Sequence, residues 1–291
     1  MLYGALEAGG TKMVCAIGDE NGKILDRVKF PTETPETTMP QIFDYFRDKG
    51  LAAIGIACFG PIDLHKDSPT YGSITSTPKK GWSGYNIVRE TEKELGLPVG
   101  FDTDVNGSML GEATWGCAKG VSDAIYLTIG TGVGGGVISN GKLLHGMLHP
   151  EVGHIRLPRV EGDPGKSVCP FHDNCFEGLA AGPSLKERWG VSADQLADKA
   201  EVWEIESEYI ANALMSYALI LSPQKIILGG GVMHQEQLFP LVRKKFSELV
   251  NGYIVTDEMK NLDDYIVPPS LNDDQGIMGA IKLAIDATNE E

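Results

Sequence analysis

Apolar positions near the start of the chain come in short runs, not helical turns. Tyr3–Leu6, Met13–Ile17 and Lys23–Phe30 read as three strands. The first two are joined by Ala8-Gly9-Gly10-Thr11-Lys12, the last two by the hairpin signal Asn21-Gly22. The same plan returns later: Ala124–Ile129, a turn at Gly130-Thr131-Gly132-Val133-Gly134-Gly135, Gly136–Ile138, Asn140-Gly141, then Lys142-Leu143-Leu144. Two unrelated hairpins are the plainer explanation. Two domains of related topology, each giving one anion-facing hairpin to a shared cleft, is the reading we carry forward.

Between and after these meanders the period changes. Met39–Lys49, Asn86–Leu95 and Val105–Trp115 carry helical patterns, alternating with strands at Ala52–Cys58 and Pro98–Phe101. An irregular stretch runs from about His149 to Pro183. Helices are expected at Ala193–Lys199, Val202–Ser222, Gln235–Val250 and Gly276–Thr288, with a strand at Lys225–Leu228 ending in Gly229-Gly230-Gly231. The alternation predicts an α/β fold. We expect a small N-terminal domain over residues 1–115, completed by a C-terminal helix over 276–291, and a larger domain over 116–275 with a loop at 149–183.

Composition sharpens this. With 291 residues, 42% of them hydrophobic, the chain can build two cores. The formal net charge of −15, from 25 basic and 40 acidic residues, argues against nucleic acid or an anionic membrane as partner. Met1–Glu7 lacks a basic, apolar leader, and no apolar run is long enough for a bilayer. With five cysteines in addition, a reduced, cytoplasmic setting is expected.

Glycine is abundant, 36 residues, and clusters in the two turns. Gly130, Gly132 and Gly135 satisfy G-x-G-x-x-G, but a strand follows where a dinucleotide fold needs a helix. The alternative is a hairpin phosphate clamp, in which successive N–H groups and a threonine hydroxyl face an anion. Gly9, Gly10, Thr11 and Lys12 would form one side, and Thr128, Gly130, Thr131 and Gly132 the other. Asp104 stands where a strand meets a helix. It is either an N-cap or a general base at the ligand-binding end of a sheet. Asp102, two residues earlier, competes for the second role.

Cys169, His172 and Cys175 have C-x₂-H-x₂-C spacing, and His154 lies upstream. Two thiolates and two imidazoles suit a structural zinc ion with no open position; His145 and His149 are the other candidates for the fourth ligand.

Together these motifs resemble the ROK family (repressor, open reading frame, kinase) of sugar kinases. Glu7-Ala8-Gly9-Gly10-Thr11-Lys12 is similar to its phosphate motif, Phe59-Gly60-Pro61-Ile62-Asp63 to its sugar loop, Asp104-Val105-Asn106 to its D-x-N, and Glu151-Val152-Gly153-His154 to its E-x-G-H. The Cys/His cluster followed by Glu177-Gly178-Leu179-Ala180-Ala181-Gly182 resembles its zinc and second sugar motif, and Gly229-Gly230-Gly231-Val232 its adenosine motif. The resemblance implies an actin-like ATPase (ribonuclease H-like) fold, with two related domains flanking a nucleotide and sugar cleft. It implies ATP, Mg²⁺ and Zn²⁺, with zinc on His154, Cys169, His172 and Cys175, and a homodimer. Asp104 would be the base; Gly60, Pro61, Asn106, Glu151, His154 and Glu177 would hold the sugar. Gly9, Gly10, Thr11, Lys12, Thr131, Gly132, Gly230 and Gly231 would hold the nucleotide. Many members carry Asp at Glu7, where it helps place Mg²⁺, and C-x-C where this chain has C-x₂-H-x₂-C. Both departures resemble the fructokinase branch, which implies transfer to the 6-hydroxyl of D-fructose. Mannose, glucose or an N-acetyl amino sugar are the alternatives of the same class. A non-catalytic sugar-sensing regulator is the alternative of another class, and it would need a DNA-binding segment ahead of Glu7.

Overall fold

A computed structural model describes residues 1–289. The chain forms two compact units. The first takes in Met1–Gly120, His145–His149 and the residues from Ser270 onward; the second takes in Val121–Leu144 and Pro150–Pro269.

The first unit opens with strands β1 (Leu2–Ala8), β2 (Lys12–Asp19) and β3 (Ile24–Pro31). Helix α1 (Pro35–Phe46), β4 (Ile54–Cys58), α2 (Ile87–Leu95), β5 (Val99–Thr103) and α3 (Asp104–Thr114) follow. The sheet order is β3-β2-β1-β4-β5, antiparallel within the meander and parallel from β1 to β5.

The second unit holds β6 (Ala124–Ile129), β7 (Val133–Ser139), β8 (Lys142–Leu143), α4 (Phe176–Ala180), α5 (Gly182–Trp189), α6 (Ala200–Leu221) and β9 (Lys225–Gly229). It continues with α7 (Leu238–Val250), α8 (Asp257–Lys260), α9 (Leu262–Tyr265) and β10 (Ile266–Val267). Its sheet order, β8-β7-β6-β9-β10, repeats the first: an antiparallel meander, then two parallel additions. The echo between the glycine turns is therefore a duplicated topology. Because β7 returns antiparallel to β6 straight after the glycine turn, no helix begins there, as the hairpin reading requires.

The chain ends with α10 (Gln275–Ala287), which packs on α3, β1 and β4 of the first unit. Glycine sets how close it comes: a Cβ on Gly55 would collide with the Ala280 carbonyl oxygen, and one on Gly279 with that of Gly107. The expected helix over 276–291 extends in part to positions 290 and 291, which lie outside the described residues.

Two elements differ from the sequence pattern. Helix α1 starts at Pro35 and not Met39, because proline at the first helical position needs no N–H partner. The helix expected at Ala193–Lys199 is a single 3-10 turn, Ala193–Gln195. The Trp203 indole N–H donates to the carbonyls of Leu196 and Ala197, just beyond that turn. Among the described residues no helix is long and apolar enough to cross a membrane.

Candidate active site

In the first sheet, Ala8 of β1 pairs with Cys58 of β4, and Cys58 with Thr103 of β5. Whatever follows each strand is thereby gathered on one edge, the edge at which α/β sheets bind ligands. After β1 comes the Gly9–Lys12 turn, after β4 the Phe59-Gly60-Pro61 loop, and after β5 Asp104. The Gly9 N–H donates to the carbonyls of Glu7 and Lys12, both at 3.1 Å, while its own carbonyl accepts from Thr32 Oγ1 at 2.7 Å. Thr11 and Lys12 are exposed at the tip. Burial pushes the Glu7 carboxyl up, and Lys12 pulls it back.

The two aspartates separate cleanly. Thr103 is the N-cap of α3, its hydroxyl accepting from Asn106 N at 3.1 Å, so Asp104 is the first helical residue and not the cap. Asp102 is 3% exposed and its carboxylate is engaged on both oxygens. Oδ1 accepts from Thr103 N at 2.8 Å and from Asn106 Nδ2 at 2.6 Å, and Oδ2 from His145 Nε2 at 2.8 Å. Asp102 is thus a structural hub. Asp104, partly exposed, accepts on Oδ1 from Val105 N at 2.9 Å.

The second sheet repeats the arrangement at β6 and β9, where Thr128 pairs with Gly229. Gly130 N donates to Gly132 O at 2.9 Å, and Gly130 O accepts from Gly182 N at 2.7 Å, which ties the turn to the start of α5. Gly230 follows β9 with φ of 88° and lies so close to Ile129 that a Cβ would come within 2.5 Å of its backbone nitrogen. Thr131, Gly132, Gly230 and Gly231 are therefore grouped at one edge of this sheet.

The Cys/His loop sits in the same unit. One ligand atom from each of His154, Cys169, His172 and Cys175 lies within 4.8 Å of all the others. Cys169 Sγ is 3.9 Å from His154 Nδ1 and 3.7 Å from His172 Nδ1, a little wider than the tetrahedral edge of about 3.6 Å that zinc bond lengths give. Burial pushes the Cys175 thiol up to about 11, so a thiolate there calls for a cation. Cys175 also caps α4, accepting from Gly178 N at 3.3 Å. The next residue but one, Glu177, accepts from Val133 N at 3.0 Å beside Gly132. Burial pushes the nearby Glu151 carboxyl up; His154 lowers it and Glu177 raises it further. Glu151, His154 and Glu177 are thus one electrostatic group, in contact with the second glycine turn.

The sequence profile described as the ROK family matches residues 3–287. The chain belongs to the ROK family. Among ROK relatives it is 48% identical over 284 residues to the fructokinase of Pediococcus pentosaceus, covering 98% of each chain. It is 43% identical over 289 residues to the fructokinase of Streptococcus mutans, covering 97% of each. The fold is similar to that of the ROK hexokinase from Thermus thermophilus, with a TM-score of 0.81 and 24% identity over all of both chains.

Three further residues lie in the first unit outside the motifs that the sequence pattern assigned. His145 and His149, considered there as metal ligands, belong instead to the first unit. His149 packs on Gly60 and accepts from Ile62 N at 3.4 Å, while His145 reaches Asp102. Both line a cavity of about 310 Å³ with Ile62, Asp63, His65 and Thr75. Lys79 lies over Gly10. Its only sequence signal was the basic pair Lys79-Lys80 in an acidic chain.

Proposed function

We propose that this ROK protein is an ATP-dependent fructokinase, moving the γ-phosphoryl group of ATP to the 6-hydroxyl of D-fructose to give fructose 6-phosphate and ADP. One observation carries the chemistry. Asp104 shares a sheet edge with the Gly9–Lys12 turn and the Gly60–Pro61 loop, while its rival Asp102 is fully engaged. The sugar is inferred from full-length relatives named fructokinases.

Asp104 acts as the general base, taking the proton of the acceptor hydroxyl as it attacks phosphorus. Gly60, Pro61, Asn106, Glu151, His154 and Glu177 are the residues we assign to the sugar. Asn106 suits this role because its Oδ1 is buried without a hydrogen-bond partner. Gly10, Thr11 and Lys12 bind phosphate through N–H groups, a hydroxyl and an ammonium, while Gly9, its own N–H spent on the Glu7 and Lys12 carbonyls, closes the turn; Thr131 and Gly132 bind phosphate through N–H groups and a hydroxyl. Gly230 and Gly231 leave the adenosine side open by having no side chains. Mg²⁺ accompanying ATP would offset phosphate charge, and Glu7, two residues before Gly9, is a carboxylate that could hold it.

The donor set of His154, Cys169, His172 and Cys175 fits a tetrahedral zinc ion, which would supply structural order to a loop poor in apolar residues. With Nδ1 of His154 on the metal side, its Nε2 is left for a sugar hydroxyl, so the loop orders the sugar site. We place the protein in the cytoplasm on its five free cysteines, and as a homodimer on the family resemblance; light scattering that gives the mass of one chain would contradict the dimer. The deciding experiment is ADP release with Mg–ATP and a panel of fructose, mannose, glucose and N-acetylglucosamine. Highest kcat/KM for fructose is expected. Preference for another hexose overturns the sugar, and no turnover with any of them overturns the kinase.

A further inference from the structure

A half-buried lysine with no acid beside it is unusual in a chain whose formal net charge is −15. Lys79 is such a residue: no carboxylate among the described residues forms an ion pair with it. Its backbone is held in place. Lys79 N donates to Thr77 Oγ1 at 3.4 Å, and Lys79 O accepts from Trp82 N at 3.2 Å. Trp82 is fully buried and donates its indole N–H to Glu33 O at 2.6 Å. The side chain leaves this anchored turn and crosses the first glycine turn. A Cβ placed on Gly10 would lie 2.7 Å from Lys79 Cε and 3.1 Å from Nζ. The same Nζ is 5.8 Å from the ring centroid of Phe59, the residue before Gly60-Pro61. The ammonium therefore stands between the phosphate turn and the sugar loop.

We propose that Lys79 is a phosphate-contacting catalytic residue, which meets the phosphoryl group as it passes from nucleotide to acceptor. The proposal rests on the kinase reading above. The turn supplies N–H groups and Lys12 on the nucleotide side, and Lys79 adds a positive charge on the side facing Gly60-Pro61. In the transfer, the bond from the γ-phosphorus to its bridging oxygen breaks and the bond to the sugar oxygen forms. The hydroxyl proton goes to Asp104, and Lys79 stays protonated throughout. Its work is to offset charge on the equatorial oxygens, where a preorganised cation counts most. Phe59 keeps the long stem in place, so little ordering is left to the moment of reaction.

The location also gives Gly10 a second reason to lack a side chain. A methyl there would push the end of Lys79 off the turn without removing its charge. Gly10→Ala and Lys79→Met should therefore damage the same interaction, and the double variant should be little worse than Lys79→Met alone.

The test uses the full chain. Lys79→Met keeps an apolar stem against Phe59. We expect its kcat with Mg–ATP and fructose to fall about a hundredfold or more, the scale for losing one preorganised group from a developing anion. The fructose KM and Tm should stay near wild type, and Lys79→Arg should recover a large part of kcat. By calorimetry, Lys79→Met should weaken Mg–AMPPNP while leaving Mg–ADP unchanged, because only the former carries a γ-phosphate. Wild-type kcat in Lys79→Met, equal weakening of both nucleotides, or a loss of Tm that arginine does not restore would each overturn the assignment. If the wild-type chain phosphorylates no hexose, the kinase reading fails by itself, and the comparison of the two nucleotides still decides Lys79.

Discussion

His145 Nε2 lies 2.8 Å from Asp102 Oδ2, so a side chain that follows β8 in the sequence reaches the hydrogen-bonded hub beneath Asp104. Asp102 can only accept when ionised, so Nε2 carries the proton. The 3.4 Å approach of Asn106 Nδ2 to the same nitrogen is then a contact between two donors. The hydrogen bond to Asp102 raises the His145 pKa above its ordinary 6.5, and burial opposes that shift. A raised folded-state value means the pair stabilises the fold fully below about the unfolded value, and the contribution fades as pH rises through the folded value. Asp63, His65 and His149 line the same cavity. The His145 ring titration, followed by NMR, should move to lower pH in Asp102→Asn; an unchanged midpoint contradicts the link.

Asp104→Asn keeps the size of the side chain and an acceptor for Val105 N. It should fold with an unchanged Tm, yet lose about two to four orders of magnitude in kcat, the range of a general base. Steady-state turnover near wild type would remove Asp104 from the mechanism.

Metal analysis of purified protein should find about one zinc per chain, as one closed four-ligand site requires. Chelation should lower Tm by roughly 5–10 °C, a loss of a few kcal/mol in a chain of this size. Since Cys175 caps α4 and Glu177 lies in that helix, fructose KM should rise as well. Full stability and unchanged KM in a metal-free preparation would defeat the zinc assignment.

A second buried charge cluster supports the loop from below. Arg188 Nε pairs with Asp163 Oδ1 at 2.6 Å, both side chains fully buried, and Tyr209 OH donates to Asp163 Oδ2 at 2.5 Å. Burial pushes Asp163 up, but Tyr209, the Gly165 N–H and Arg188 outweigh it and hold the carboxyl below its ordinary 3.8. Its contribution is thus present above that value and lost as pH falls through the depressed one. Burial, with a further push from Asp163, raises Glu206 well above the usual carboxylate range against the pull of the neighbouring Arg188. Arg188→Met would leave Asp163 buried without its cation, and denaturant unfolding should show a loss of about 3–5 kcal/mol.

Much of the fold was legible because local signals and final structure agree. Asn86 caps α2 and Gly96 ends it in the left-handed conformation, both as residue type predicts. The two meanders announced themselves through glycine turns between apolar runs. The helix expected at Ala193–Lys199 shortens to a single 3-10 turn, after which the Leu196 and Ala197 carbonyls face the indole of Trp203, a residue buried in the second core.

The sequence by itself determined the chemistry carried by contiguous motifs. Glycine turns, D-x-N and C-x₂-H-x₂-C keep their residues within a few positions, so spacing alone brings their atoms together. Tertiary structure decided the parts whose partners are far apart along the chain. It engaged Asp102 with His145, and it carried Lys79 across Gly10. The register of the parallel strands likewise sets the ends of β1, β4 and β5 side by side on one edge. No pattern along a single chain records that register, because it is fixed by which buried faces pack together.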